Sequence, residues 1–259
     1  MNKSMSNRIA VIMAFILVIA VNVMANALPI GGRTTGEISA KYPSLFTPAG
    51  YTFSIWSLIY LGLAIYVVYQ ALPAQRESVS LAKIGKLFLL NCAANIAWIL
   101  VWHHDLLLPS LFLMLVILAT LAGIYRSLGI SNTTASCSRR WCVHLPFSLY
   151  TAWITVATIA NFSIVQTGMG WDNVVIEAVQ WTCVKLGIAG AVGATMVLRR
   201  GDIAFILVIA WAAIGIAEKQ ASMPAVAGAA GTVAVLAFLL ALFEAIKKLH
   251  ACLTPSSNR

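Results

Sequence analysis

Apolar residues in this chain come in runs of about twenty, and the short segments between them gather most of the polar and turn-forming residues. Eight such runs are legible, at 7–28, 51–71, 84–102, 106–125, 142–165, 174–198, 203–217 and 226–247. A helix rises about 1.5 Å per residue, so runs of this size cross roughly 30 Å of hydrocarbon. Backbone groups in hydrocarbon have no water to bond, and the alternating pattern of a barrel strand is absent, so helices are expected. The expected fold is therefore all-α, a polytopic transmembrane helical bundle of about eight spans. The run at 203–217 is the shortest and is expected to be tilted or partly interfacial.

Composition agrees with this pattern. Charged residues make up 10% of a chain that is 61% hydrophobic, against about 25% charged in a soluble domain. The net charge of +9 would suit a polyanion if it were clustered, but it is sorted by side. Lys3, Arg8, Arg76, Lys83, Lys86, Arg126, Arg139, Arg140, Arg199, Arg200, Lys247, Lys248 and Arg259 fall on one side of the spans, and Arg33, Lys41 and Lys219 on the other. This is the positive-inside distribution, and it predicts cytoplasmic termini in a plasma (inner) membrane. It gives no reason to expect nucleic acid as a partner.

Lys3 and Arg8 before an apolar core, with Ala25-Asn26-Ala27 after it, have the outline of a signal peptide. The apolar stretch reaches residue 28 without a polar segment, which favours an uncleaved first span. Cys92, Cys137, Cys142, Cys183 and Cys252 have no ligand-like spacing and are expected to be free thiols.

The connection 29–50 carries Pro29, Gly31, Gly32, Gly36 and Pro43, and it is long enough to fold back over the bundle as a lid. The stretch 127–141 is small and polar. Beyond residue 167 the spans grow rich in Gly and Ala, which let helices approach closely. The chain is accordingly divided into a five-helix membrane core, 1–167, and a further three-helix segment with a short tail, 168–259.

Polar residues inside the spans carry the rest of the information. Asn22 and Asn26, and likewise Asn91 and Asn95, are spaced i, i+4, and each unpaired amide would cost several kcal/mol in hydrocarbon. They are expected to face the interior, and interhelical hydrogen bonding explains them as well as ligand contact does. Asn95 and Trp98 share a face, as do Trp153, Ala157 and Asn161. The second stripe describes either a cavity wall with a gap at Ala157 or a knob beside a close helix contact. Lys185 falls well inside the sixth run and needs a partner, water or ligand. His103-His104-Asp105 reads as a solvated turn, His144 as an interfacial group, and no metal or catalytic constellation is recognisable.

The segment 41–70, KYPSLFTPAGYTFSIWSLIYLGLAIYVVYQ, stands apart. Pro43 and Pro48-Ala49-Gly50 lead into a span whose Trp56 and Tyr60 stack on one face at i, i+4. The run TPAGYTFSIWSLIY resembles the second-helix signature of the TspO/MBR family, the translocator proteins or tryptophan-rich sensory proteins, with Phe53, Trp56 and Tyr60 in the family's aromatic places. Asn95-Ile-Ala-Trp98 resembles its third-helix Asn-x-x-Trp, and Trp153-x-x-x-Ala157-Thr158-x-x-Asn161 its fifth-helix motif. Pro146 lies farther from Trp153 than in the family pattern, and the resemblance covers residues 5–166.

What the resemblance implies is a membrane binder or sensor of hydrophobic planar ligands such as porphyrin, haem or sterol-like molecules, regulatory or transport-related. Trp56 and Trp153 would be its aromatic walls, and Phe53, Tyr60, Asn95, Trp98, Ala157 and Asn161 its further contacts. No cofactor is required, and a tetrapyrrole would be a ligand. Two other readings stay open: a small-molecule transporter or channel that uses Lys185, and a light-dependent porphyrin-degrading enzyme as some family members are. Lipid is the surrounding partner, and the oligomeric state is open, a homodimer included.

Overall fold

In the computed structural model, which describes residues 3–28, 32–130 and 135–253, the protein is a bundle of helices, with no strand among the described residues. We number them α1 (Lys3–Ala27), α2 (Thr35–Lys41), α3 (Ile55–Ala71), α4 (Val79–His103), α5 (Leu107–Leu128), α6 (Leu145–Gly168), α7 (Ala178–Arg200), α8 (Ile203–Lys219) and α9 (Pro224–Leu253). Among the described residues, seven helices are long and apolar enough to cross a membrane. The remaining long element, α8, has 17 residues, or about 25 Å. It is also the most enclosed of the C-terminal helices, with Phe205, Ile209, Ala212 and Ile216 all buried. The expected eight spans are thus seven of full length and one short inner helix.

The helices begin and end where local chemistry dictates. Ser78 accepts a bond from the Leu81 amide and starts α4, and the Asp202 carboxylate caps α8 through the Phe205 amide at 3.1 Å. Gly129 and Gly201 close α5 and α7 in the left-handed conformation that a side chain disfavours. Residues Arg140–His144 form a π-helical turn that runs into α6. Pro146 then occupies the first turn of α6, where a missing N–H costs nothing. Cys92, Cys137, Cys142 and Cys183 are free thiols as expected; the side chain of Cys252 and the stretch 131–134 lie outside the described residues.

Two polar hubs fasten the bundle. In its middle, Asn22 Nδ2 donates to Asn95 Oδ1 at 3.0 Å, and Asn95 Nδ2 to the Tyr150 hydroxyl at 3.3 Å. Tyr150 in turn donates to Asn91 Oδ1 at 3.1 Å, and Asn91 Nδ2 to Thr120 Oγ1 at 2.9 Å. The run joins α1, α4, α6 and α5. At the end of the bundle opposite the first loop, the buried Asp202 accepts from Tyr125 at 2.7 Å and from Ser148 at 2.7 Å, tying α5 and α6 to the start of α8. Asn26 departs from expectation: it lies exposed near the end of α1, and among the described residues it bonds only the Asn22 carbonyl of its own helix.

The other end of α8 is fixed by shape. The Ala49 amide donates to the Gly215 carbonyl at 2.9 Å, and the Trp211 indole N–H to the Thr52 carbonyl at 2.9 Å. A Cβ on Gly215 would stand 2.0 Å from Thr52 Oγ1 and 3.0 Å from its Cβ. Gly215→Ala is therefore expected to lower stability by about 1–3 kcal/mol, the usual cost of overpacking. Thermal unfolding of the purified protein in detergent measures this, and Thr52→Ala in the same chain should restore part of the loss.

Candidate ligand-binding site

The segment between α2 and α3 dives into the bundle instead of running over it. Phe46, Thr47 and Thr52 are buried, and a short 3-10 turn, Gly50–Ser54, delivers the chain into α3. Proline and glycine at 48–50 suit that sharp change of direction, because Pro fixes φ and lacks an N–H to satisfy. The turn places Phe53 one helical turn before Trp56, and Tyr60 follows one turn later.

These rings meet α6. Trp56 stacks on Tyr60 with centroids 5.2 Å apart and an interplanar angle of 25°. It meets Trp153 edge-on at 6.4 Å and Tyr150 at 5.9 Å. Phe53 meets Trp153 edge-on at 5.8 Å. The five rings grade from buried (Trp153, Tyr150) through half-buried (Trp56, Tyr60) to 39% exposed (Phe53). Edge-to-face contacts of this kind add about 0.5–1.5 kcal/mol each beyond area burial. The Trp153 indole N–H is buried, with no acceptor among the described residues.

The structure thus brings Phe53, Trp56, Tyr60 and Trp153 into one cluster. Tyr150 completes it and was not among the expected ligand contacts. Its signal was its position, one turn before Trp153 on the same face. Asn95 reaches the cluster through its bond to the Tyr150 hydroxyl. The other expected contacts are engaged elsewhere. Trp98 stacks on Trp102 at 5.3 Å, with its indole N–H also buried and unpartnered. Asn161 donates to Ser110 Oγ at 3.1 Å, joining α6 to α5. Ala157 is half-buried beside the main core. Lys185 is buried, with its Nζ donating to Ser163 Oγ at 2.6 Å.

Against this cluster the C-terminal helices press from the far side of the lead-in turn. Tyr51 meets Trp211 edge-on at 5.4 Å, adding to the Trp211 and Gly215 bonds already described. Phe46 and Val156 line a small apolar cavity of about 10 Å³ together with Leu186, Ala189, Ile209, Ala212, Ala213, Ile216 and Val233.

Over the end of the bundle lies α2, whose Thr34 and Glu37 form a capping box. Ile38 is buried with Trp102, Leu107, Ile164 and Val165, and the Trp102 indole donates to the Thr35 carbonyl at 3.2 Å. The first connection therefore folds back as the lid that its length suggested; Pro29 and Gly31 lie outside the described residues. Its latch is Asp105, in the turn between α4 and α5. Lys41 donates to it at 2.5 Å, Tyr42 at 3.3 Å, and Arg33 lies 3.8 Å away. The bond from Lys41 holds the Asp105 carboxyl below its ordinary range, and the same bond raises Lys41. This turn is less solvated than expected, since His103 is buried and bonds the Ile99 carbonyl at 2.8 Å. His144 is buried too. No group of metal-holding side chains occurs among the described residues.

A sequence model of the family described as TSPO-like protein matches residues 8–243, a range that runs on through α7 and α8 into α9. No curated protein and no solved structure matches the chain.

Two outcomes follow from this geometry. Tyr150→Phe removes the donor to Asn91 and the acceptor for Asn95, and a buried polar group left unmatched costs about 1–3 kcal/mol; thermal unfolding should fall accordingly, while Tyr60→Phe should change little. The latch has a pH window set by both partners. Asp105 contributes above its ordinary value of 3.8, and that contribution is lost as pH falls through its lower folded value. Lys41 contributes below 10.5, and loses it as pH rises through its higher folded value. Nitroxide pairs at Gly36→Cys and Leu108→Cys should stay close across the middle of the range and separate at both extremes, and Asp105→Asn should separate them at neutral pH.

Proposed function

The chain belongs to the TSPO-like protein family, and from that premise we propose that it is an integral membrane binder or sensor of hydrophobic planar ligands, porphyrin-like or sterol-like in shape. The observation that carries this reading is the ring cluster, in which Trp56 lies within 6.4 Å of Trp153, Tyr150 and Tyr60. Flat aromatic walls favour flat partners through offset stacking. The buried, unpartnered N–H of Trp153 offers one directional contact to an acceptor on such a ligand. Phe53, the most exposed ring of the set, is the natural gate, because its side chain leaves the cluster without moving a helix.

The ligand is bound, not consumed, in this reading. The cluster holds no acid–base pair and no nucleophile beside a base, so hydrolytic or group-transfer chemistry finds no machinery there. Light-driven breakdown of a bound porphyrin needs only the tryptophans and remains the enzymatic alternative. The Lys and Arg asymmetry supports cytoplasmic termini in the inner membrane, which sets the lid on the outer side, where a ligand arriving from outside meets it first.

Titration with protoporphyrin tests this, read on the porphyrin's own absorption band because the substitutions themselves remove two of the 8 tryptophans. Wild-type protein should bind saturably. Trp56→Leu with Trp153→Leu should weaken binding by about tenfold or more, the loss expected of two stacking contacts. Saturable binding that is unchanged in the double variant rules the aromatic site out. Product formation under light, absent in the dark, separates turnover from binding.

A further inference from the structure

Lys185 lies outside the aromatic cluster, and its surroundings ask for something the protein does not supply. It is 6% exposed, its one hydrogen bond among the described residues goes to Ser163 Oγ at 2.6 Å, and its ammonium sits 5.6 Å from the Phe162 ring centroid. None of the ion pairs among the described residues includes it, and Asp172 in the preceding loop reaches it only through its field. An ammonium carries three donors. Ser163 takes one.

Trp181 precedes Lys185 by four residues and therefore shares its stripe on α7. The Trp181 indole N–H is likewise buried, with no acceptor among the described residues. Two neighbouring positions on one helix face thus present donors, one of them cationic, and neither has an anion. One hydroxyl on the facing helix thus serves a pair that carries four donors, and unmatched donors in a membrane cost several kcal/mol.

Depth sharpens the point. The apolar run 174–198 puts Lys185 well inside its span. The helix starts at Ala178, so Lys185 is only seven residues in, about 10 Å along the axis. A lysine stem at that depth ordinarily reaches the interface. This one turns inward to α6 instead. Beside it the surface is apolar and open: Val184, Ile188 and Phe162 are 46%, 52% and 38% exposed, and nothing lies within 4 Å of a Cβ built on Gly187.

We propose that Lys185, with Ser163 and Trp181, binds the anionic head group of a lipid-borne amphiphile, a carboxylate or a phosphate, whose chain lies along Val184, Gly187 and Ile188. The ammonium gains the counter-charge it lacks, and the indole N–H gains an acceptor. Access is sideways from the bilayer between α6 and α7, so this site neither uses nor requires the aromatic cluster.

The test uses the full chain in phosphatidylcholine vesicles at high salt, which screens surface lysines and arginines but spares a buried pair. Spin-labelled stearate, the matching spin-labelled alcohol and spin-labelled phosphatidic acid are compared by the motionally restricted fraction of their spectra, at neutral pH, where the phosphate is ionised and an ammonium facing the carboxyl favours its anion. One or both anions should associate about fivefold more than the alcohol, the factor expected of one cation facing one anionic head. Stearate alone points to a free acid, phosphatidic acid alone to a lipid head group. Lys185→Gln should abolish the preference, Lys185→Arg should keep it, and Trp181→Phe should reduce it. Association of both anions no greater than that of the alcohol with the wild-type protein overturns the proposal without any variant, and so does a preference that survives Lys185→Gln. Protoporphyrin binding measured on the same vesicles reports on the aromatic site separately and should be unchanged by Lys185→Gln.

Discussion

One run of hydrogen bonds sets the geometry of this bundle. From Asn22 through Asn95, Tyr150 and Asn91 to Thr120, each side chain in the middle of the run accepts from one neighbour and donates to the next. Lipid tails offer no hydrophobic drive to bring helices together, so position must come from close packing and from polar groups with nowhere else to bond. The run satisfies both amides of α4 at once, toward α1 and α6 with Asn95 and toward α5 with Asn91. Sliding any of the four helices by one residue would move a side chain about 1.5 Å along its axis and turn it by about 100°, and would leave a donor stranded. Tyr150 is the member on which the proposed site depends, because its hydroxyl belongs to this network while its ring belongs to the aromatic cluster. The same residue that fixes α6 in register also sets where Trp56 finds its partner.

A second constraint comes from the opposite direction in sequence. Helix α8 is fastened at its start by Asp202 to α5 and α6, and near its end by Trp211 and Gly215 to the lead-in turn of α3. A buried carboxylate accepting three donors is costly to leave unmatched, so the first attachment is specific. The second is specific by shape, since the site admits no side chain at 215. Short as it is, α8 therefore acts as a strap along α6 and between two parts of the chain that the sequence keeps far apart.

Much of this was legible in advance, and the failures have identifiable causes. The spans were visible because a bilayer imposes one length and one polarity on every crossing element; only α8 escapes that rule, being enclosed by other helices. The pairing of Trp56 with Trp153 followed from the resemblance, and that Asn22 bonds across to another helix followed from the demand that an intramembrane amide find a partner. What sequence could not supply is which partner. Asn161 and Ala157 share a helical stripe with Trp153, yet eight residues of helix turn Asn161 by about 80°, enough to point it at Ser110 on α5. Trp98 follows Asn95 by three residues and stacks on Trp102, a choice fixed by where α2 covers the end of α4. Lys185 lies nearer the start of its helix than the run 174–198 suggests, because the loop before it extends to Glu177.

The rings of the aromatic cluster are already in contact with one another, and this ties ligand and scaffold together. A planar molecule needs about 3.5 Å from each flanking ring, which the 5.2 Å stack of Trp56 on Tyr60 does not offer. Something must yield, and the helices cannot, because the Tyr150 network holds α3's partner in register. Trp153 is walled in by α6's own neighbours at 2% exposure. Phe53 is left, standing on a turn whose next residue back, Thr52, carries the carbonyl that Trp211 holds and the side chain that fills the space at Gly215. Moving Phe53 by rotation about its own side chain leaves those contacts intact; moving it by shifting the turn breaks them. At the proposed site the first motion would admit a small ligand at little cost. A larger one would have to draw on the second, and its affinity would then depend on how firmly α8 grips the turn, which would make the C-terminal helices part of the proposed ligand's energetics even though none of their residues joins the cluster.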